Sequence, residues 1–120
     1  MTYAGYLLSE QSRVELMEIF TPLFPDVIGH HVTYSFGSDE FPPDVTSACV
    51  IGYIRDNSLE CLVVSIDGNI HRPDGKIYHI TWSLDRSLGR KPVDSNKVLQ
   101  TKQFEQIPAI NISIEPMVFT

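Results

Sequence analysis

His31-Val32-Thr33-Tyr34-Ser35 and His79-Ile80-Thr81-Trp82-Ser83 repeat one pattern twice in 120 residues: histidine, a β-branched apolar residue, threonine, an aromatic, serine. In a chain of this composition, two chance occurrences of His-apolar-Thr-apolar have an expectation on the order of 0.001. Both copies are rich in β-branched and aromatic residues and alternate polar with apolar, so each reads as a strand with one wet and one buried face. Side chains two residues apart on a strand share a face, roughly 7 Å from each other. The alternation predicts one polar row of His31, Thr33 and Ser35 and another of His79, Thr81 and Ser83. Val32, Tyr34 and Phe36 form one apolar row, and Ile80, Trp82 and Leu84 the other.

Outward from these strands, residues 3–8 read as a further strand. Ser9 or Ser12 then offers a helix N-cap, the second within the capping-box pattern Ser12-Arg13-Val14-Glu15. Leu16, Met17, Ile19 and Phe20 give that helix an apolar side, and Pro22 and Pro25 end it. Residues 48–55 and 59–66 are β-rich runs joined by Asp56-Asn57, a hairpin signal. A two-residue loop there would pair 55 with 58 and 49 with 64, putting Cys49 and Cys61 on opposite faces and excluding a bridge. Residues 68–75, with Pro73 and two glycines, read as an open loop carrying His71 and Arg72. Asp94 or Ser95 caps a short helix to about Thr101, and Ile110, Ile112 and Ile114 mark a half-buried last strand. The order strand, helix, strand, hairpin, strand, short helix, strand predicts an α+β fold, mainly antiparallel, with one or two helices.

At 120 residues the chain is expected to be a single domain, 1–120. Its 42% hydrophobic and 20% charged residues argue for a globular core and against disorder. Nine basic against 15 acidic residues leave a net charge of −6, which excludes a broad surface for long duplex nucleic acid but permits a small anion at a local site. Apolar runs of about five residues fall far short of the roughly 18 that span a bilayer, so no membrane partner is expected. The N-terminus lacks the basic region of a secretory signal, and the expected location is the cytoplasm. Two cysteines without metal-ligand spacing, and histidines without helical i, i+4 spacing, lead to the expectation of neither metal nor cofactor.

Two imidazoles and two hydroxyls brought to one cleft suit a phosphodiester reaction. One neutral imidazole withdraws a proton from the attacking hydroxyl, the other supplies one to the leaving oxygen, and hydroxyls hydrogen-bond the non-bridging oxygens. His31 and His79 are therefore the candidate catalytic residues, with Thr33, Thr81, Ser35 and Ser83 as candidate substrate ligands. Arg90 and Lys91 follow the second motif closely and are candidate sources of local positive charge.

On the pairs His31 with Thr33 and His79 with Thr81, the sequence resembles the 2H phosphoesterases, the LigT-like superfamily, and its small bacterial and phage branches in particular. The order of elements from Tyr3 to Ile114 agrees with that resemblance. It implies a bilobed, pseudo-symmetric α+β fold, two histidines as acid and base, and two threonines as phosphate ligands. It further implies cleavage of a cyclic or 2′-linked phosphodiester in a nucleotide, cyclic oligonucleotide or RNA end, as in RNA repair or the degradation of cyclic oligonucleotide signals. The alternative expectation is a non-catalytic nucleotide-binding module of the same fold.

Overall fold

The computed structural model describes residues 2–120. Its elements in chain order are β1 (Tyr3–Leu8), α1 (Glu10–Ile19), β2 (Asp26–Val27), β3 (His31–Phe36), β4 (Ala48–Arg55), β5 (Leu59–Ile66), β6 (His79–Leu84), α2 (Asp94–Thr101), β7 (Glu105–Asn111) and β8 (Ile114–Phe119), with a short 3-10 turn at Arg86–Leu88. The fold is α+β, with two helices and two antiparallel sheets ordered β3-β1-β8 and β2-β6-β5-β4-β7. The radius of gyration, 13.3 Å, is close to the roughly 13.6 Å of 120 residues folded as one body.

Ser9, not Ser12, caps α1: its side chain accepts the Ser12 N–H, and Ser12 Oγ is used instead to accept the Ser113 N–H at 2.8 Å. The helix buries Leu16 and packs Met17 and Phe20 on the main core, whereas Ile19, expected on the same side, is 56% exposed. That core holds Tyr6, Val32, Leu62, Val64, Ile80 and Trp82, so it joins both sheets beneath α1. The opposite face of β5 carries Cys61 and Val63 into a second cluster closed by Val98 and Leu99 of α2. With both faces covered, residues 61–64 of β5 read as a continuous apolar run.

The β4–β5 hairpin departs from the two-residue loop expected. Asp56 Oδ1 accepts the Ser58 N–H and the Asp56 N–H bonds Leu59 O, so the turn is longer and Arg55 pairs with Glu60. A bulge at Ile51 then brings Cys49 opposite Ser65. Cys49 thus lies on the same face as Cys61, and about 13 Å along the sheet, not a difference of face, keeps the thiols apart. The expected last strand is two strands. The chain leaves β4 at Ile112, whose N–H bonds Ala48 O, and crosses to pair β8 with β1.

What positions the site is the passage from β2 to β3. Val27, Ile28 and Gly29 follow one another along β6, the N–H groups of Ile28 and Gly29 donating to Trp82 O and Thr81 O at 2.9 Å. Continued for two residues, that register would set His31 opposite His79. Instead the chain bends at Gly29, with φ +52°, and the next carbonyl, of His30, accepts from Leu8 of the other sheet. A Cβ at 29 would lie 3.0 Å from the Trp82 ring and 3.2 Å from Met17, so glycine is needed for both conformation and space. The two motif strands therefore start side by side and splay apart as a wedge.

Candidate active site

The wedge is a cavity of about 240 Å³, lined by His31 and Thr33 from β3 and by His79 and Thr81 from β6. Tyr3, Ile28, Phe36 and Arg72 line it too, and Pro92, Val93 and Asn96 come from the start of α2. The structure thus brings together all four residues of the two His-x-Thr pairs.

The third member of each polar row does not reach the cavity, for the same reason in both copies. On β3, Thr33 and Ser35 pair with the adjacent Gly5 and Ala4; on β6, Thr81 and Ser83 pair with the adjacent Cys61 and Glu60. Tyr34 and Trp82, the fourth residue of each motif, are therefore extra residues in bulges, and alternation fails beyond them. Ser35 yields its place in the cavity to Phe36, which had been expected on the apolar side. Ser83 turns into the core, fully buried, and its hydroxyl donates to Glu60 Oε2. That carboxylate also accepts from Tyr53 Oη at 2.5 Å and from the Leu23 N–H at 2.8 Å, which fixes the segment after α1.

Arg90 and Lys91, expected to supply the local positive charge, lie away from the cavity as well. Arg90 Nη2 pairs with Asp56 Oδ2 at 2.5 Å, at the hairpin turn, and Lys91 is exposed, with its backbone N–H bonded to Asp94 Oδ2. Neither lines the cavity. The cation there is Arg72, only 3% exposed. Its Nε and Nη2 donate to Asp74 at 3.1 and 2.6 Å and its guanidinium lies 5.3 Å from the Phe36 ring centroid, while Nη1 is buried without a partner. The pair holds the Asp74 carboxyl down to about 2. In the sequence Arg72 is one cation in a loop of turn residues. The local signal for its burial is Arg72-Pro73-Asp74-Gly75, a turn in which a carboxylate two residues on can fold back to the guanidinium. Asn96, also unforeseen, brings a buried amide oxygen without a partner to the same wall.

Both imidazoles are kept neutral. Burial, then the neighbouring His30 and His79, lower His31 from 6.5 to about 4. Burial likewise lowers His79 to about 4, aided by Arg72 and opposed by the Ile77 carbonyl. That carbonyl, 2.8 Å from His79 Nδ1, can only accept, so Nδ1 carries the proton and Nε2 presents its lone pair to the cavity. His31 Nδ1 lies 3.0 Å from His30 Nδ1, which leaves its Nε2 for the cavity. Thr33 Oγ1 is engaged in no hydrogen bond among the described residues. The hydroxyl of Thr81 lies 3.2 Å from Pro92 O and 2.8 Å from Ser95 Oγ. Among the described residues, the lining includes one permanent cation and no carboxylate, in a chain of net charge −6. The arrangement suits an anion with hydrogen-bond acceptors, flanked by two groups able to move protons.

No family model, curated protein or solved structure matches the chain. Among the described residues, no three His, Cys, Asp or Glu side chains converge as a metal site, and no helix is long and apolar enough to cross a membrane.

Proposed function

We propose that this protein is a phosphodiesterase of the 2H type, using two histidines and no metal to cleave a cyclic or 2′-linked phosphodiester of a nucleotide, cyclic oligonucleotide or RNA end. The observation that carries this reading is the convergence of His31, Thr33, His79, Thr81 and Arg72 on one cavity free of carboxylates. The matched bulges at Tyr34 and Trp82 support the pseudo-symmetric, two-lobed arrangement that the resemblance implies. At about 240 Å³ the cavity is below the roughly 300–1,000 Å³ of pockets that enclose a whole drug-sized ligand. It takes a phosphate with its ribose and leaves the remainder of a longer substrate outside.

In this reading His79 is the base. Its Nδ1 proton is tied to the Ile77 carbonyl and Arg72 disfavours a second charge, so Nε2 is ready to accept from the attacking hydroxyl. His31 supplies the proton to the leaving oxygen. Arg72 Nη1 and the Thr33 hydroxyl donate to the non-bridging oxygens, joined by Thr81 once its hydroxyl turns from Pro92, and Asn96 Oδ1 accepts from a sugar hydroxyl.

The test is a panel of cyclic mono-, di- and oligonucleotides, 2′,3′-cyclic RNA ends and 2′-5′-linked oligonucleotides, assayed in EDTA. Turnover of at least one is expected, with His31→Ala and His79→Ala each lowering it about 10²–10⁴-fold. Tight nucleotide binding without cleavage of any member would replace the enzyme by a binding module. Loss of turnover in EDTA, restored by zinc or manganese, would overturn metal independence.

A further inference from the structure

His30 is a titratable residue at the site that the acid–base pair does not use. It is exposed, yet its Nδ1 lies 3.0 Å from Nδ1 of His31, with the two rings edge-on at 80°. Two such nitrogens at hydrogen-bond distance need one proton between them, donated by one ring and accepted by the other. His31 lines the cavity of the site, and His30 lines a second, larger groove of about 770 Å³. Ile28 borders both, so the contact between the imidazoles is a hydrogen-bonded link from the one to the other.

Glu10 and Arg13 of α1 and Glu115 of β8 line the same groove as His30, and its ring lies against those of His31 of β3 and Phe119 of β8. Arg13 is tied through Nε to the Gly29 carbonyl at 3.1 Å. Toward the cavity, burial and the neighbouring His30 and His79 make a charged His31 costly. A His31 that stays neutral can still give up its Nε2 proton if another reaches its Nδ1 from His30.

We propose that His30 is the proton relay of the site, passing a proton to Nδ1 of His31 as Nε2 of His31 gives its own to the leaving oxygen. The relay rests on the two-histidine phosphodiesterase reading and goes beyond it. As the bond from the attacking water oxygen to phosphorus forms and the bond to the leaving oxygen breaks, the water proton moves to His79 Nε2. At the same time the His31 Nε2 proton moves to the leaving oxygen and the His30 Nδ1 proton to His31 Nδ1. His31 stays neutral and only changes tautomer, while the positive charge passes from His30 to His79. The site resets when the His79 proton returns through water or product to His31 Nε2 and the His31 Nδ1 proton returns to His30.

His30→Gln keeps an amide N–H for His31 Nδ1 but cannot take up and release a proton, and His30→Ala leaves room for added imidazole. Both are compared with wild type on 2′,3′-cyclic AMP, or whichever diester of the panel is cut fastest, and on bis(p-nitrophenyl) phosphate. The nitrophenolate of the latter leaves without an acid. His30→Gln should lower kcat on the ribose diester about tenfold or more with KM little changed, and should leave the nitrophenyl ester unaffected. Imidazole should restore His30→Ala and not His30→Gln. The alkaline limb of the pH profile should move to lower pH, because His31 must then carry the charge itself. Unchanged kcat and pH profile in His30→Gln would overturn the relay, as would equal losses on the two esters, which mark a structural effect. A wild type that cleaves no diester refutes the phosphodiesterase reading, and the relay with it.

Discussion

Burying two neutral imidazoles makes the fold sensitive to mild acid. His31 and His79 ordinarily lose their proton near 6.5 and are held down to about 4 in the folded protein. Between those values the unfolded chain binds more protons than the folded one, so stability falls as pH drops through that window. From pH 7 to pH 5 each histidine costs about 2 kcal/mol, and the pair about 4 if they titrate independently, a large part of the roughly 5–15 kcal/mol of a typical domain. Trp82, the single tryptophan and fully buried, reports unfolding by fluorescence. Urea titrations at pH 7, 6 and 5 should show the midpoint falling by about 2 M overall, for a slope of about 2 kcal/mol/M. The His31→Asn/His79→Asn double variant should lose most of that dependence. Inorganic phosphate should reduce the fall in wild type, because an anion in the cavity favours the charged imidazoles. A stability that is level between pH 7 and 5, or a double variant that falls as steeply as wild type, would refute the placement of both histidines as buried and neutral.

Gly29→Ala should lower stability by about 2 kcal/mol in urea titrations, since alanine at φ +52° is strained and its Cβ meets Trp82 and Met17; any turnover should fall with it, because the bend sets β3 against β6. Glu60→Ala strands the Tyr53 and Ser83 hydroxyls and the Leu23 N–H in or near the core, and calorimetry should show a loss of about 3 kcal/mol, roughly 10–15 °C in Tm. Arg72→Gln removes the cavity's cation and should weaken inorganic phosphate about tenfold by titration calorimetry; unchanged affinity would take Arg72 out of the anion site.

Much of this protein was legible from short-range pattern. Period-two alternation marks β3 and β6, a serine cap, at Ser9 or Ser12, and the prolines bound α1, and the repeated His-x-Thr pairs name four residues that line the cavity. These features depend on the chain's own geometry over a few residues, where a strand's side chains must alternate and a helix end must satisfy its orphan N–H groups. The departures have a different origin. The bulges at Tyr34 and Trp82 exist only because Gly5–Ala4 and Glu60–Cys61 pair across from them, and they decide that Phe36 and not Ser35 reaches the site. Arg90 and Lys91 lie near the second motif in sequence, but the turn after β6 carries Arg90 to Asp56, whereas Arg72 reaches the cavity from a loop. The crossing from β7 to β8, which brings Phe119 within 4.9 Å of His31 ring to ring, is likewise set by which edges are left to pair. Local sequence determined which residues could do chemistry and on which strands they sit. Strand register, the bend at Gly29 and the burial of Arg72 belong to pairings between segments far apart in the chain, whose energies no local window contains, and they decided which of those residues meet.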